Sequence, residues 1–261
     1  MNSKIGRLAA VLFAGWMSIA ATAPAQEEHH ASDPSHAWSY SGATGPEHWG
    51  DLSPEFAACK DGKRQSPIDI VHPQMVQLPA IHVASHPVPL HLVNNGHTIM
   101  QAYPHDSGNT MMVDGQEYEL QQFHFHLPSE EAIDGMHYEM VAHLVYANKQ
   151  GQLAVIGVLV KKGKANPVIS TLWSHLPQSA GQESQSDAVV VNLVHLLPAK
   201  RTYYTYPGSL TTPPCTEGVT FYILDTPMEF SEAQIAKFAA IYPDNARPVQ
   251  PLNGRTVQHS K

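Results

Sequence analysis

From Val88 to Val160 the chain runs in short stretches of β-branched, aromatic and aliphatic residues separated by turn residues. The separators are Asn94-Asn95-Gly96, Ser107-Gly108-Asn109, Asp114-Gly115, Asp134-Gly135 and Gln150-Gly151. This spacing predicts strands and turns rather than helices. In Gln121-Gln122-Phe123-His124-Phe125-His126 the alternation is strict. On a strand it puts His124 and His126 on one face and Phe123 and Phe125 on the other. Leu153 to Val160 is apolar apart from one glycine, as expected of a central strand buried on both faces. Helical patterns are few. Pro167 to Leu176 predicts a short helix with Pro167 in its first turn. Ser231-Glu232-Ala233-Gln234 is a capping box that opens a second helix ending before Pro243. Asp187 to Leu197 fits a helix by apolar spacing and a strand by Val189-Val190-Val191. The expected class is mainly β: one large sheet with short peripheral helices.

The alternating strand also carries the candidate chemistry. Two imidazoles at i and i+2 can share a metal ion, and a third ligand is needed to hold it tightly. His143 lies in the next strand-like run, Tyr138 to Tyr146. The link from Leu127 to His137 contains Pro128, Asp134 and Gly135, so the chain can turn back there. An antiparallel return brings His143 beside the first pair. Three neutral histidines plus one open position form the ligand set of a catalytic zinc site. The chain has 17 histidines, so chance pairs are expected. The pattern by itself leaves a metal site and ordinary satisfied histidines both open.

The N-terminus reads as an export signal over residues 1–25. Lys4 and Arg7 precede a largely apolar run, Leu8 to Ala20, and Ala23-Pro24-Ala25 resembles a cleavage site before Gln26. That run is too short and too rich in Ala and Gly to predict a membrane span. A retained anchor is the alternative. The mature protein is expected to be periplasmic or secreted, without a membrane segment. Residues 26–36, with His29, His30 and His36, predict a flexible tail. Residues 37–261 show no linker, charge block or repeat, and predict a single domain. Losing Lys4 and Arg7 moves the net charge from -8 to -10. Such an acidic chain is not expected to bind nucleic acid or an anionic membrane. An oxidising compartment favours pairing the only two cysteines, Cys59 and Cys215. Two buried free thiols are the alternative.

Several separated stretches together resemble the alpha-class carbonic anhydrases, in particular the exported bacterial ones. They are Gly45-Pro46-Glu47-His48-Trp49, Gln65-Ser66-Pro67-Ile68-Asp69-Ile70, Asn94-Asn95-Gly96-His97, Gln122-Phe123-His124-Phe125-His126, Pro128-Ser129-Glu130, His143-Leu144-Val145, Tyr206 to Pro214, and Arg247 to Asn253. They occur in the family's order and cover about residues 36–256. The resemblance implies a roughly ten-stranded, twisted, mostly antiparallel sheet with zinc at the base of a conical cleft. It also implies reversible hydration of carbon dioxide to bicarbonate and a proton, through hydroxide generated at the metal. Zn2+ would be held by His124, His126 and His143, with Gln122 behind them. Thr211 resembles the threonine that accepts from the hydroxide and donates to Glu130. His97 resembles the proton shuttle, and Tyr40 would order water between it and the metal. Val145, Val155, Leu210 and Val219 resemble the apolar wall where carbon dioxide rests, with Thr211 and Thr212 beside it. Relatives of this type are often dimers, so a homodimer is one expected assembly, although no exposed stripe marks an interface.

Three departures matter. A tryptophan common in the apolar wall is Phe221 here, which should widen the pocket. The family usually has a glutamate two residues before the third zinc ligand, where it accepts from that histidine's free N–H. Here that position is Val141. The residue after Glu130 is usually a histidine, and here it is Glu131. Glu131 is therefore expected to reach into the vacated place and orient His143; the alternative is a solvated Glu131 with water filling the gap.

Other functions remain open at this stage. His124-x-His126-x-x-x-Glu130 also fits the start of a cupin ligand motif, which would bind iron or manganese. A non-catalytic binding protein on the same fold and a zinc store using the histidine tail are further readings.

Overall fold

The structure, a computed structural model, describes residues 37–261. The expected signal peptide (1–25) and tail (26–36) lie outside the described residues. Fifteen strands form among them: β1 (Asp69–Ile70), β2 (Gln74–Val76), β3 (His82–Ala84), β4 (Val88–Asn94), β5 (Ile99–Ala102), β6 (Thr110–Val113), β7 (Gln116–His126), β8 (Ala132–Ile133), β9 (Met136–His137), β10 (Met140–Ala147), β11 (Leu153–Lys162), β12 (Glu183–Val191), β13 (Tyr203–Ser209), β14 (Glu217–Phe230) and β15 (Gln258–Ser260). Ten of them hydrogen-bond in one line, in the order β12-β4-β5-β7-β10-β11-β14-β13-β15-β2, and β6 joins this sheet through β7 and carries β3. Neighbours run antiparallel except β11 with β14 and β15 with β2. The mainly β class and the large, mostly antiparallel sheet are as expected from the sequence.

The long strand β7 organises the centre. Its alternation separates the faces as read from the sequence: Phe123 and Phe125 are fully buried in the larger apolar core. Burying such a side chain is worth about 1.5–3 kcal/mol, so this face fixes the strand's register. Two short helices cover it. The helix Pro167–Trp173 starts on Asn166, whose side chain accepts from the N–H groups of Val168 and Ile169. The helix Glu232–Ala239 opens with the Ser231/Gln234 capping box. Trp173 and Phe238 stack on each other and both meet Phe125 edge-on. The strand that carries the histidines is thus backed by a wedge of aromatic rings.

β11 is buried along most of its length between β10 and β14, as its unbroken apolar run predicts. Gly157 lies opposite His143 across the β10–β11 ladder. A Cβ at Gly157 would come within 2.5 Å of Ile223 Cδ1, so the lack of a side chain lets the sheet close there. The ambiguous stretch 187–197 divides. Its first part belongs to edge strand β12, and a 3-10 turn follows at Leu193–Leu196, where Asn192 Oδ1 accepts from Val194 N–H.

The link between β7 and β10 does turn back. β8 and β9 form a small hairpin through Asp134 (φ 48°) and Gly135 (φ 77°), and β1 pairs beside it in parallel. Glu130 and Glu131 immediately precede β8, and their carboxylates come within 3.2–3.6 Å of His126 and His143. Cys59 and Cys215 form a disulfide with Cα atoms 5.0 Å apart, packed in a small cluster with Trp49, Trp38 and Tyr40. Arg247 is buried beside it, donating to the carbonyls of Cys59 and Ser66 and to Gln65 Oε1 at 2.7–3.0 Å.

Candidate metal centre

In the antiparallel pairing of β7 with β10, His143 lies opposite His124 and Val141 opposite His126. One ring nitrogen from each of His124, His126 and His143 lies within 4.8 Å of the others. The remaining ring nitrogens are all committed. His124 Nδ1 meets Gln122 Oε1 at 2.8 Å, His126 Nδ1 meets the Asn245 carbonyl at 2.8 Å, and His143 Nε2 meets Glu131 Oε2 at 3.2 Å. All three partners are acceptors, so each of those nitrogens carries the proton. The lone pairs are then left on Nε2 of His124, Nε2 of His126 and Nδ1 of His143. His126 Nε2 is buried with no hydrogen-bond partner, which is unusual for a buried polar atom and is accounted for by a metal ion. The residues present therefore fit zinc: three imidazole nitrogen donors, each oriented from behind.

Burial keeps two of the rings neutral. It pushes His124 down to about 3, and His126 well below its usual range, with the neighbouring histidines adding to the effect. For His143 burial acts in the same direction, but the Glu131 and Glu130 carboxylates outweigh it and raise its pKa.

Glu130 is fully buried. Its Oε1 accepts from Arg247 N–H at 2.9 Å. Its Oε2 has no well-formed hydrogen bond and faces His126 Nε2 at 3.5 Å and His143 Nδ1 at 3.6 Å. Burial pushes its carboxyl up to about 7, against the opposing pull of His143, the Arg247 N–H and the Thr211 hydroxyl.

Two cavities meet at the histidines. One, about 190 Å³, is lined by His124 and His143 together with Val145, Val155, Leu210, Thr211, Thr212, Val219 and Phe221. The other, about 140 Å³, runs past Tyr40, His97, His124, His126 and Thr212. The first is walled mainly by aliphatic and aromatic side chains, whereas the second mixes Trp38, Tyr40 and Met100 with Asn95, His97, Thr98 and Gln122. The structure thus brings Tyr40, His97, Val145, Val155, Leu210, Thr211, Thr212 and Val219 together around the triad. Phe221, in the wall, stacks on Tyr206. A larger cavity of about 720 Å³ lies elsewhere, near His105, Glu119 and Lys149, and holds none of this chemistry.

The sequence profile of the family described as eukaryotic-type carbonic anhydrase matches residues 44–261. The chain belongs to the alpha-class carbonic anhydrases. A carbonic anhydrase from Nostoc sp. is 44% identical over 228 residues, covering 84% of each chain. Among solved structures, a hyperthermostable carbonic anhydrase identified from an active hydrothermal vent chimney is 47% identical. It superposes with a TM-score of 0.82 over 86% of this chain and 100% of its own. The alpha-carbonic anhydrase of Thermovibrio ammonificans, in complex with the inhibitor sulfanilamide, is 44% identical. Its TM-score is 0.82 over 87% of this chain and 99% of its own. The histidine triad matches the zinc-binding geometry of this class, and the site is of the kind that hydrates carbon dioxide. The family and the single large sheet set the cupin alternative aside, since cupins are double-sheet jelly rolls.

Three contacts of this carbonic anhydrase site were not assigned from sequence. The Asn245 carbonyl holds His126, and the Asn245 side chain donates to the carbonyls of His97 and Phe125. Any residue has a carbonyl, so no side-chain pattern announces that role. Arg247 lies in a recognised stretch, but its hold on Glu130 runs through the backbone. Trp38 stacks on His97 with centroids 3.6 Å apart and planes 8° apart. Its aromatic character alone was visible in the sequence.

Proposed function

We propose that this protein is a zinc-dependent carbonic anhydrase that interconverts carbon dioxide and bicarbonate in an exported compartment, with His97 as proton shuttle. The observation that carries the reading is the convergence of three ring nitrogens whose opposite nitrogens are each committed to an acceptor. When bound, zinc lowers the pKa of its water to about 7 in carbonic anhydrases and favours the ionised form of the neighbouring Glu130.

The chain's own residues divide the remaining work. An ionised Glu130 can only accept, so the Thr211 hydroxyl donates to it and its oxygen is left to accept a hydrogen bond from the reacting water. This sets the direction of the water's lone pair. The Thr211 backbone N–H supports oxygen as charge grows on it. Val145, Val155, Leu210 and Val219 offer carbon dioxide a wall without hydrogen bonds, with Thr212 at its polar edge. Phe221, smaller than tryptophan, leaves that wall wider. On the other side His97 takes the released proton toward solvent. Tyr40, whose hydroxyl has no protein partner, is placed to order the water between.

The test is carbon dioxide hydration with zinc content followed in parallel. Wild type should hold one zinc per chain and be active; His124→Asn should lose both. Activity that survives complete loss of metal would refute the reading. Export of residues 1–25 is supported by the disulfide, which belongs to oxidising compartments. N-terminal sequencing of the mature protein is expected to begin at Gln26. Among the described residues no helix is long and apolar enough to cross a membrane.

A further inference from the structure

We propose that Glu131 is a positioning residue for the zinc centre: it selects the ring tautomer of His143 against its neighbour Glu130. The inference rests on the reading of the triad as a zinc site.

The adjacent carboxylates bracket one ring. Glu131 Oε2 lies 3.2 Å from His143 Nε2, and Glu130 Oε2 lies 3.6 Å from His143 Nδ1. Both carboxylates are fully buried. A neutral imidazole has one proton, so it can donate to only one of them. If Nδ1 carries the proton, it points at Glu130 and the third lone pair of the triad is gone. If Nε2 carries it, Nδ1 faces the common point shared with His124 and His126. The geometry favours the second state. Glu131 is the nearer acceptor, whereas Glu130 is drawn aside by the Arg247 N–H on its other oxygen.

Glu131 is itself held in place. Tyr206 donates to its Oε1 at 3.4 Å, and Ser129 Oγ donates to its backbone carbonyl at 2.7 Å. No lysine or arginine pairs with its side chain among the described residues. Burying an anion is costly unless other groups compensate it. Its two donors are a tyrosine hydroxyl and the imidazole of a metal ligand, which is where a carboxylate raises ligand basicity. Val141, two residues before His143 on β10, is fully buried among apolar side chains and offers no acceptor. The orienting group has therefore moved from the strand to the segment that leads into β8, next to Glu130. That placement is what creates the competition for the ring.

The experiment compares wild type, Glu131→Met and Glu131→Gln. Methionine fills the buried volume without an acceptor, and glutamine keeps one oxygen. Zinc affinity is measured by chelator competition on the whole protein, and the His143 tautomer by nitrogen-15 NMR of the metal-free form. Glu131→Met is expected to bind zinc about 10–100-fold more weakly, with the His143 proton moved to Nδ1. Glu131→Gln should lose less and keep the proton on Nε2. A space-filling role would leave all three alike. Wild-type affinity with an Nε2–H ring in a folded Glu131→Met protein would overturn the proposal alone. Failure of wild type to take up zinc would overturn the zinc reading, and the proposal with it.

Discussion

His143 sits directly opposite His124 across the β7–β10 ladder, with ring centroids 5.6 Å apart and planes at 90°. The zinc site is thus a property of strand register. A slip of one residue would turn His143 away from the pair on β7. The register is locked by Phe123 and Phe125 on the opposite face, away from the chemistry. Phe125→Ala should therefore cost about 3–5 kcal/mol of stability, read from urea unfolding. At temperatures where it stays folded, it should bind zinc as tightly as wild type.

Arg247 ties its own stretch to Cys59 and to the Gln65-Ser66 pair. Replacing it with alanine leaves buried acceptors without a donor, at about 1–3 kcal/mol for each. We expect Arg247→Ala to lose at least about 3 kcal/mol in denaturant unfolding. A smaller carbon dioxide hydration rate should accompany it, because Glu130 loses the anchored backbone that aims it.

The disulfide spans 156 positions. The chain-entropy estimate for a loop of that length has a ceiling of about 5 kcal/mol. A Cys59→Ser/Cys215→Ser double variant should melt well below wild type. Reductant should lower the melting temperature of wild type but leave that of the double variant unchanged.

Much of this arrangement is legible in the sequence, because period two is strict where one face is core and the other is chemistry. β7, β10 and the apolar β11 declare themselves, as does the helix after Ser231. The residue after Glu130 could be matched to the carboxylate missing at Val141, since both positions face the same histidine. What stays hidden is pairing and backbone. The parallel neighbours β11 and β14 are far apart in the chain, and no local pattern states which strand lies beside which. The edge strand β12 has no alternation against a core to mark it, so Asp187 to Leu197 reads two ways. The Asn245 carbonyl and the Arg247 N–H act through groups that every such residue carries.

The shuttle role proposed for His97 carries its own pH signature. Burial lowers the pKa of His97, so its neutral, proton-accepting form persists below the usual value of 6.5. The acid limb of the kcat–pH profile should fall below that value and disappear in His97→Ala. Trp38→Ala, which uncovers the ring, should move the limb upward.

A second pH effect belongs to stability. Burial alone would raise the pKa of Asp225, but donors from Thr202, His259 and Thr226, with Lys200 nearby, bring it below 3.8. A carboxyl whose folded value is depressed stabilises the fold above its unfolded pKa, and loses that contribution as pH falls through the folded value. Asp225→Asn should therefore be less stable than wild type at pH 6, with the difference shrinking below about pH 4. Thermal melts across that range check it.

The most direct test of the account is a crystal structure of the zinc-loaded protein, with anomalous data collected at the zinc edge. The account predicts one strong peak per chain, coordinated by Nε2 of His124, Nε2 of His126 and Nδ1 of His143. A peak bound elsewhere, or a ring of this triad turned away from the ion, would contradict it.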